Sequence, residues 1–149
     1  MDVIFRNIDG VNLTECKVVE NQFGSVLHML NINSPDFTKF GEIYFSEVLP
    51  QCIKGWKLHK IQKQSFVVPI GQVEVVIYDQ REGSGTYNAF NNFMLGRPNS
   101  YKLLQIPSGL HYAFRCVGVT PALIANLTDY PHDQSEVINI PLGKIKYEW

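Results

Sequence analysis

The amino-acid sequence predicts an all-β protein, a jelly-roll sandwich or barrel in a single domain spanning residues 1–149. Three observations carry this. Apolar and polar residues alternate at period two in many short runs. Gly, Pro and Asn separate those runs at regular spacing. No stretch of about a dozen residues sustains a helical period.

The elements follow in order. Asp9-Gly10 predicts a hairpin turn within apolar positions running from Phe5 to Val19. Asn21-Gln22-Phe23-Gly24 is a turn, and Ser25 to Leu30 a strand. Asn33-Ser34-Pro35-Asp36 breaks the chain, with Pro35 placed to open a short helical turn. Gly41 to Leu49, Lys54 to Ile61 and Ser65 to Ile70 read as strands. Gly71 turns into Gln72 to Asp79, the strongest strand signal, with Val73, Val75 and Ile77 on one face and Glu74 on the other. A loop at Arg81 to Gly85 precedes strands at Ala89 to Leu95, Tyr101 to Ile106, His111 to Cys116 and Pro121 to Asp129. A polar connector from Tyr130 to Ser135 leads to a last strand, Val137 to Ile140.

Composition narrows the class. Hydrophobic residues at 45% and charged residues at 18% match an ordinary globular chain and exclude disorder. A net charge of −1 offers no field for nucleic acid or an anionic membrane. No apolar run reaches the ~20 residues of a membrane helix. The opening Met1 to Arg6 lacks the layout of a signal peptide. The three cysteines, Cys16, Cys52 and Cys116, form no CxxC pair and read as buried thiols of a cytoplasmic protein. Exposed strand edges favour a homodimer, with the strands of residues 1–40 contributing to the interface.

Two stretches carry the chemistry. Lys57, His59, Gln64 and Gly71 fall on the pattern His-x-His, Glu, Gly that opens the cupin barrels, and Pro107, Gly109 and Tyr112 fall on their second pattern, Pro-x-Gly-x-x-His. The turn-forming glycines and the proline are in place. Of the four positions that hold metal in metal-dependent cupins, only His59 carries a metal-type ligand, and Lys57 is charged at neutral pH. His111 lies one residue out of register, which turns a strand side chain to the other face; it reads as structural or exposed. No metal or other cofactor is expected.

From about Gly41 to Trp149 the chain resembles the dTDP-4-dehydrorhamnose 3,5-epimerase family, a metal-independent cupin branch. The resemblance rests on Leu58-His59, on Gly71-Gln72-Val73 leading to Asp79-Gln80-Arg81, and on Ser84-Gly85-Thr86-Tyr87. Further on it rests on Ile106-Pro107-Ser108-Gly109 with Phe114, on Thr128-Asp129-Tyr130 and on Ile145 to Trp149. It is most similar to a short branch with Gly-Glu-Ile-Tyr-Phe-Ser before a Lys-Gly-Trp-x-Leu-His-Lys stretch, here Gly41 to Ser46 and Lys54 to Lys60.

The resemblance implies a nucleotide-sugar epimerase or isomerase acting on a dTDP-4-keto-6-deoxyhexose. A base removes a hydrogen beside the C4 ketone, an enolate forms, and an acid returns the proton to the opposite face. His59 matches the family's base. The family's enolate-stabilising lysine aligns with Gln64, its acid tyrosine with Ala125, and the arginine before its Gly-Leu-His with Lys54 or Trp56. The aspartate that orients the family's histidine lies beyond Trp149.

The residues themselves offer substitutes. Lys57 shares a strand face with His59 and supplies a cation. Tyr112 and Tyr130 are candidates for the acid, and Asp129 or Glu42 for orienting His59. Arg81, with Ser84 and Thr86, suits a phosphate or a surface salt bridge. Trp56, Tyr44 and Phe45 suit stacking on a base or sugar, or core packing. The expected site is therefore His59, Lys57 and Tyr130 for catalysis, with Trp56, Gln64, Arg81 and Tyr112 for substrate. The rival reading is a cupin that binds a sugar nucleotide without turning it over.

Overall fold

Period-two alternation folds the chain into two facing sheets. The computed structural model describes the backbone of Ile4–Phe5 and residues 7–149 in full. Most of the opening stretch, on which the signal-peptide reading rests, lies outside the described residues. The strands in chain order are β1 (Ile4–Phe5), β2 (Asn12–Glu15), β3 (Val18–Val19), β4 (Val26–Leu27), β5 (Glu42–Val48), β6 (Ile53–His59) and β7 (Gln64–Ile70). Then come β8 (Val73–Tyr78), β9 (Ala89–Leu95), β10 (Lys102–Ile106), β11 (His111–Cys116), β12 (Ala122–Thr128) and β13 (Val137–Ile140). A single 3-10 turn, Leu142–Lys144, follows. No helix among the described residues is long and apolar enough to cross a membrane.

One sheet has the order β1-β9-β8-β11-β6-β13 and the other β2-β10-β7-β12-β5, while β3 and β4 pair alone. Neither sheet closes on itself, so the jelly roll is a sandwich. Asp9-Gly10 is a turn, but not of a hairpin: β1 pairs with β9 in one sheet and β2 with β10 in the other. Pro35 sits in turns rather than a helical segment.

The core lies between the sheets, where Val73, Val75 and Ile77 of β8 meet Phe66, Val68, Leu104, Ile106 and Ile124. The outer face of the first sheet is also covered. Trp56, Val76, Tyr78 and Phe90 pack under Ile145, Tyr147 and Trp149. Outside the second sheet, Val67, Leu103 and Ala125 pack under Val18, Leu27 and Leu30. Cys116 is buried but Cys52 is exposed, against the expectation of buried thiols; all three cysteines are free.

Candidate active site

The two cupin-like stretches are neighbours. β6 and β11 run antiparallel, with Leu58 opposite His111 and Lys57 opposite Tyr112. Alternation sends Lys57, His59 and Tyr112 toward the space between the sheets and Trp56, Leu58 and His111 away from it. The loop between β10 and β11 locks this arrangement: the Gly109 N–H donates to the His59 carbonyl at 2.7 Å. Gly109 has φ +89°, a conformation that glycine adopts without strain.

His59 is 6% exposed and both ring nitrogens are engaged. Nδ1 lies 2.8 Å from Glu136 Oε2, and Nε2 lies 2.9 Å from the Tyr112 hydroxyl. Glu136 stands just before β13, which pairs with β6 and places Val137 opposite His59. Its Oε1 accepts the backbone N–H groups of Ile61 and Gln62 at 3.1 and 2.9 Å.

These contacts set the ionisation. Burial raises the Glu136 pKa, but the Gln62 N–H, His59 and the Ile61 N–H outweigh it and hold the carboxyl below the usual range. Burial pushes His59 below the ordinary histidine value, against the pull of Glu136. Burial, then Tyr44 and Glu136, push the Tyr112 phenol well up. A neutral imidazole therefore donates Nδ1–H to an ionised Glu136, and its Nε2 lone pair accepts the Tyr112 O–H.

The opposing sheet supplies amides and a phenol. Gln64, Asn126 and Tyr44 project inward from β7, β12 and β5. Asn126 Nδ2 donates to Gln64 Oε1 at 2.6 Å and to the Tyr44 oxygen at 2.9 Å. Gln64 Nε2 donates to Gln62 Oε1 at 3.2 Å. Lys54 Nζ reaches across to Ser46 Oγ at 3.0 Å. Lys57 is exposed and makes no hydrogen bond among the described residues; partial burial, then Lys54, lower its pKa. A pocket of about 490 Å³ opens beside the site, lined by Ile61, Tyr130, His132 and Glu136 among others. A larger cleft of about 670 Å³ lies at the opposite end of the sandwich, between the turns at Gly71, Arg97 and Val119. It is remote from His59, and burial and chemistry favour the first position. Among the described residues no three His, Cys, Asp or Glu side chains stand together as a metal site.

No protein-family model matches the chain. A solved structure of a dTDP sugar isomerase from Desulfovibrio desulfuricans is 48% identical, with TM-score 0.89, covering 91% of this chain and 86% of that one. A spore coat polysaccharide biosynthesis protein of Bacillus subtilis is 30% identical over 136 residues, 90% of this chain and 89% of that protein. A Haloferax volcanii protein described as "Probable low-salt glycan biosynthesis epimerase" is 29% identical over 149 residues, 96% of this chain and 95% of that protein. The chain belongs to the dTDP-4-dehydrorhamnose 3,5-epimerase family.

Within this family frame, the sequence-predicted residues separate. His59, Gln64 and Tyr112 are buried between the sheets, and Lys57 lies on the same face of β6 as His59 but exposed. Trp56 does not join them: it is 1% exposed on the outer face of β6, its ring tilted against Trp149 and its Nε1–H on the Leu142 carbonyl at 3.2 Å. One residue of alternation removes it from any substrate in the cleft. Arg81 is committed to the protein, with Nε and Nη2 on Asp79 at 3.0 and 2.9 Å and Nη2 on the Asp9 carbonyl at 3.0 Å. Tyr130 is 39% exposed at the rim, its ring under Lys39 Nζ at 3.6 Å, with no described contact to His59.

The orienting carboxylate is neither Asp129 nor Glu42. Asp129 caps the Lys63 N–H and Glu42 the His132 N–H, both at 2.8 Å. Glu136 takes that role, and no local signal reveals it, because 77 residues separate it from His59. Ala125, aligned with the family's acid, faces outward opposite Phe45; its neighbour Asn126, opposite Tyr44, faces in. His111 is 5% exposed and lies near Tyr78 on the outer face, so it is structural rather than exposed.

Proposed function

We propose that this protein is an epimerase or isomerase of dTDP-4-keto-6-deoxyhexose-type sugars, working by proton abstraction beside the C4 ketone. The Tyr112–His59–Glu136 chain carries the reading: a buried neutral imidazole backed by an ionised carboxylate is a general base near neutral pH. As the sugar enters, the Tyr112 hydroxyl leaves Nε2 for the ketone oxygen. The C–H bond breaks, its proton goes to Nε2, and its electron pair passes into the enolate. Glu136 stabilises the resulting imidazolium. Lys57, on the same strand face, meets the enolate oxygen, and Gln64 hydrogen-bonds the sugar from the opposing sheet. At the cupin ligand positions Lys57, Gln64 and Tyr112 are poor metal ligands, which supports chemistry without a metal. Arg81 contacts the substrate only if its Asp79 pair opens.

The naming of the Desulfovibrio relative as a dTDP sugar isomerase supports the substrate class. We read the protein as a cytoplasmic homodimer; free thiols support the first, and exposed Phe40, Ile43 and Phe45 near β5 support the second.

Incubation in D2O with dTDP-4-keto-6-deoxyglucose, followed by NMR at C3 and C5, tests the activity. Exchange is expected in the native protein and lost in His59→Ala. Tight binding of the nucleotide sugar without exchange would replace the enzyme with a binding protein.

A further inference from the structure

Inversion of a carbon centre needs a proton returned from the face opposite the base. His59 and Tyr112 both project from the first sheet, so neither serves. The aligned acid position, Ala125, points out of the sandwich. The opposing inner wall carries one phenol beside the polar cluster. Tyr44 lies opposite Asn126 on β5, and both face inward.

We propose that Tyr44 is the acid that protonates the enolate from the face opposite His59. This rests on the epimerase reading and adds the missing half of it. Three observations carry the assignment. First, position: Tyr44 belongs to the second sheet and His59 to the first, so a sugar between the sheets has one on each face. Second, continuity: from Tyr44 the contacts run through Gln64 Oε1 to Gln62, whose backbone N–H binds Glu136, the partner of His59. Both groups thus border one polar space.

Third, the hydroxyl's own bonds. Asn126 Nδ2 donates to the Tyr44 oxygen at 2.9 Å and occupies one of its lone pairs. Among the described residues the hydroxyl proton has only the Gln64 Oε1 contact at 3.5 Å, too long to hold it. Asn126 is 2% exposed and Gln64 1%, so this bracket is fixed inside the protein. The phenol is left with a proton to give and a donor that stabilises the anion it becomes. Burial raises the Tyr44 pKa while Asn126 lowers it, so the group holds its proton at neutral pH.

The step balances. The enolate electron pair forms the new C–H bond with the Tyr44 proton as the Tyr44 O–H bond breaks. Asn126 stabilises the phenolate. Water restores the Tyr44 proton and takes the one held by His59.

The experiment compares wild type, Tyr44→Phe, Tyr130→Phe and His59→Ala in D2O with dTDP-4-keto-6-deoxyglucose, scoring deuterium incorporation and inverted product separately. In Tyr44→Phe, exchange at the reacting carbon continues with retention, while inversion falls about 100-fold. Inversion within about threefold of wild type overturns the assignment. So does equal loss of exchange and inversion in a folded variant, or uncoupling in Tyr130→Phe instead. Wild type that exchanges without inverting removes Tyr44 as the acid and leaves the isomerase reading standing. Wild type with no exchange removes both. If Tyr44→Phe does not fold, 3-fluorotyrosine at position 44 replaces it. The alkaline limb of inversion then moves to lower pH, and an unmoved limb overturns the proposal.

Discussion

Glu136 holds Nδ1 of His59 at 2.8 Å and is itself held by two backbone N–H groups, so the imidazole cannot rotate or switch tautomer freely. Its field also raises the His59 pKa against burial, which lowers it more. Glu136→Gln removes the charge and keeps the shape. The imidazolium formed during abstraction then lacks its counter-charge. The expected outcome is a fall in kcat of about 10²–10⁴-fold with KM little changed. The acid limb of the pH profile also moves to lower pH, because His59 becomes harder to protonate. Steady-state kinetics across pH checks both. A KM effect alone, with kcat intact, would assign Glu136 to substrate binding.

At the scale of the element, the loop joining β10 to β11 sets where β6 ends. Its Gly109 N–H bonds the His59 carbonyl, and its φ of +89° strongly favours glycine. Gly109→Ala is expected to cost about 1–2 kcal/mol of stability and to reduce kcat by shifting His59. Gly83, at φ +78° with nothing within 4 Å of an added Cβ, provides the comparison. Gly83→Ala should show similar strain in thermal unfolding with kcat unchanged. Equal kinetic effects from both would mean that the loop does not position His59. The same loop also packs against Arg81, whose side-chain carbons lie 3.5 and 3.7 Å from where a Gly109 Cβ would sit. The pair Asp79–Arg81 therefore braces the loop, and hydrogen bonds from Arg81, Thr86 and Ser84 outweigh burial and keep the fully enclosed Asp79 ionised.

For the whole molecule, the two buried histidines and the buried carboxylates Asp79 and Glu136 shift in one direction. His59 and His111 are pushed below the ordinary histidine value, chiefly by burial. Burial raises Asp79 and Glu136, but their hydrogen bonds win and hold both below the usual carboxylate range. In each case the folded-state pKa lies under the unfolded one, so the unfolded chain binds more protons between the two values. Stability is therefore full above the unfolded pKa and lost as pH falls. The histidines act below about pH 6.5 and the carboxylates below about pH 4. Tm should drop between about pH 7 and pH 5, and His111→Leu should flatten that drop, since its buried Nδ1 has no partner among the described residues. A Tm that stays level or rises over this range contradicts the assignment.

Much of this was legible in the residues. The bounds of Ala89–Leu95, His111–Cys116 and Val137–Ile140 follow from period-two alternation and glycine punctuation, which are local properties. His59 was legible too, because cupin spacing is a pattern within two strands. Sheet membership was not. Asp9-Gly10 looks like a hairpin turn, yet its arms join different sheets, a choice made by partners far along the chain. Trp56 reads equally as a stacking residue or a core residue until the C-terminal segment is seen to cover it. Glu136 and Tyr44 acquire meaning only when β13 docks on β6 and β5 on β12. The sequence by itself determined most of the strands and turns and singled out His59. Tertiary structure decided which carboxylate holds that imidazole and which phenol faces it, because those pairings are made across sheets by residues that no local pattern connects.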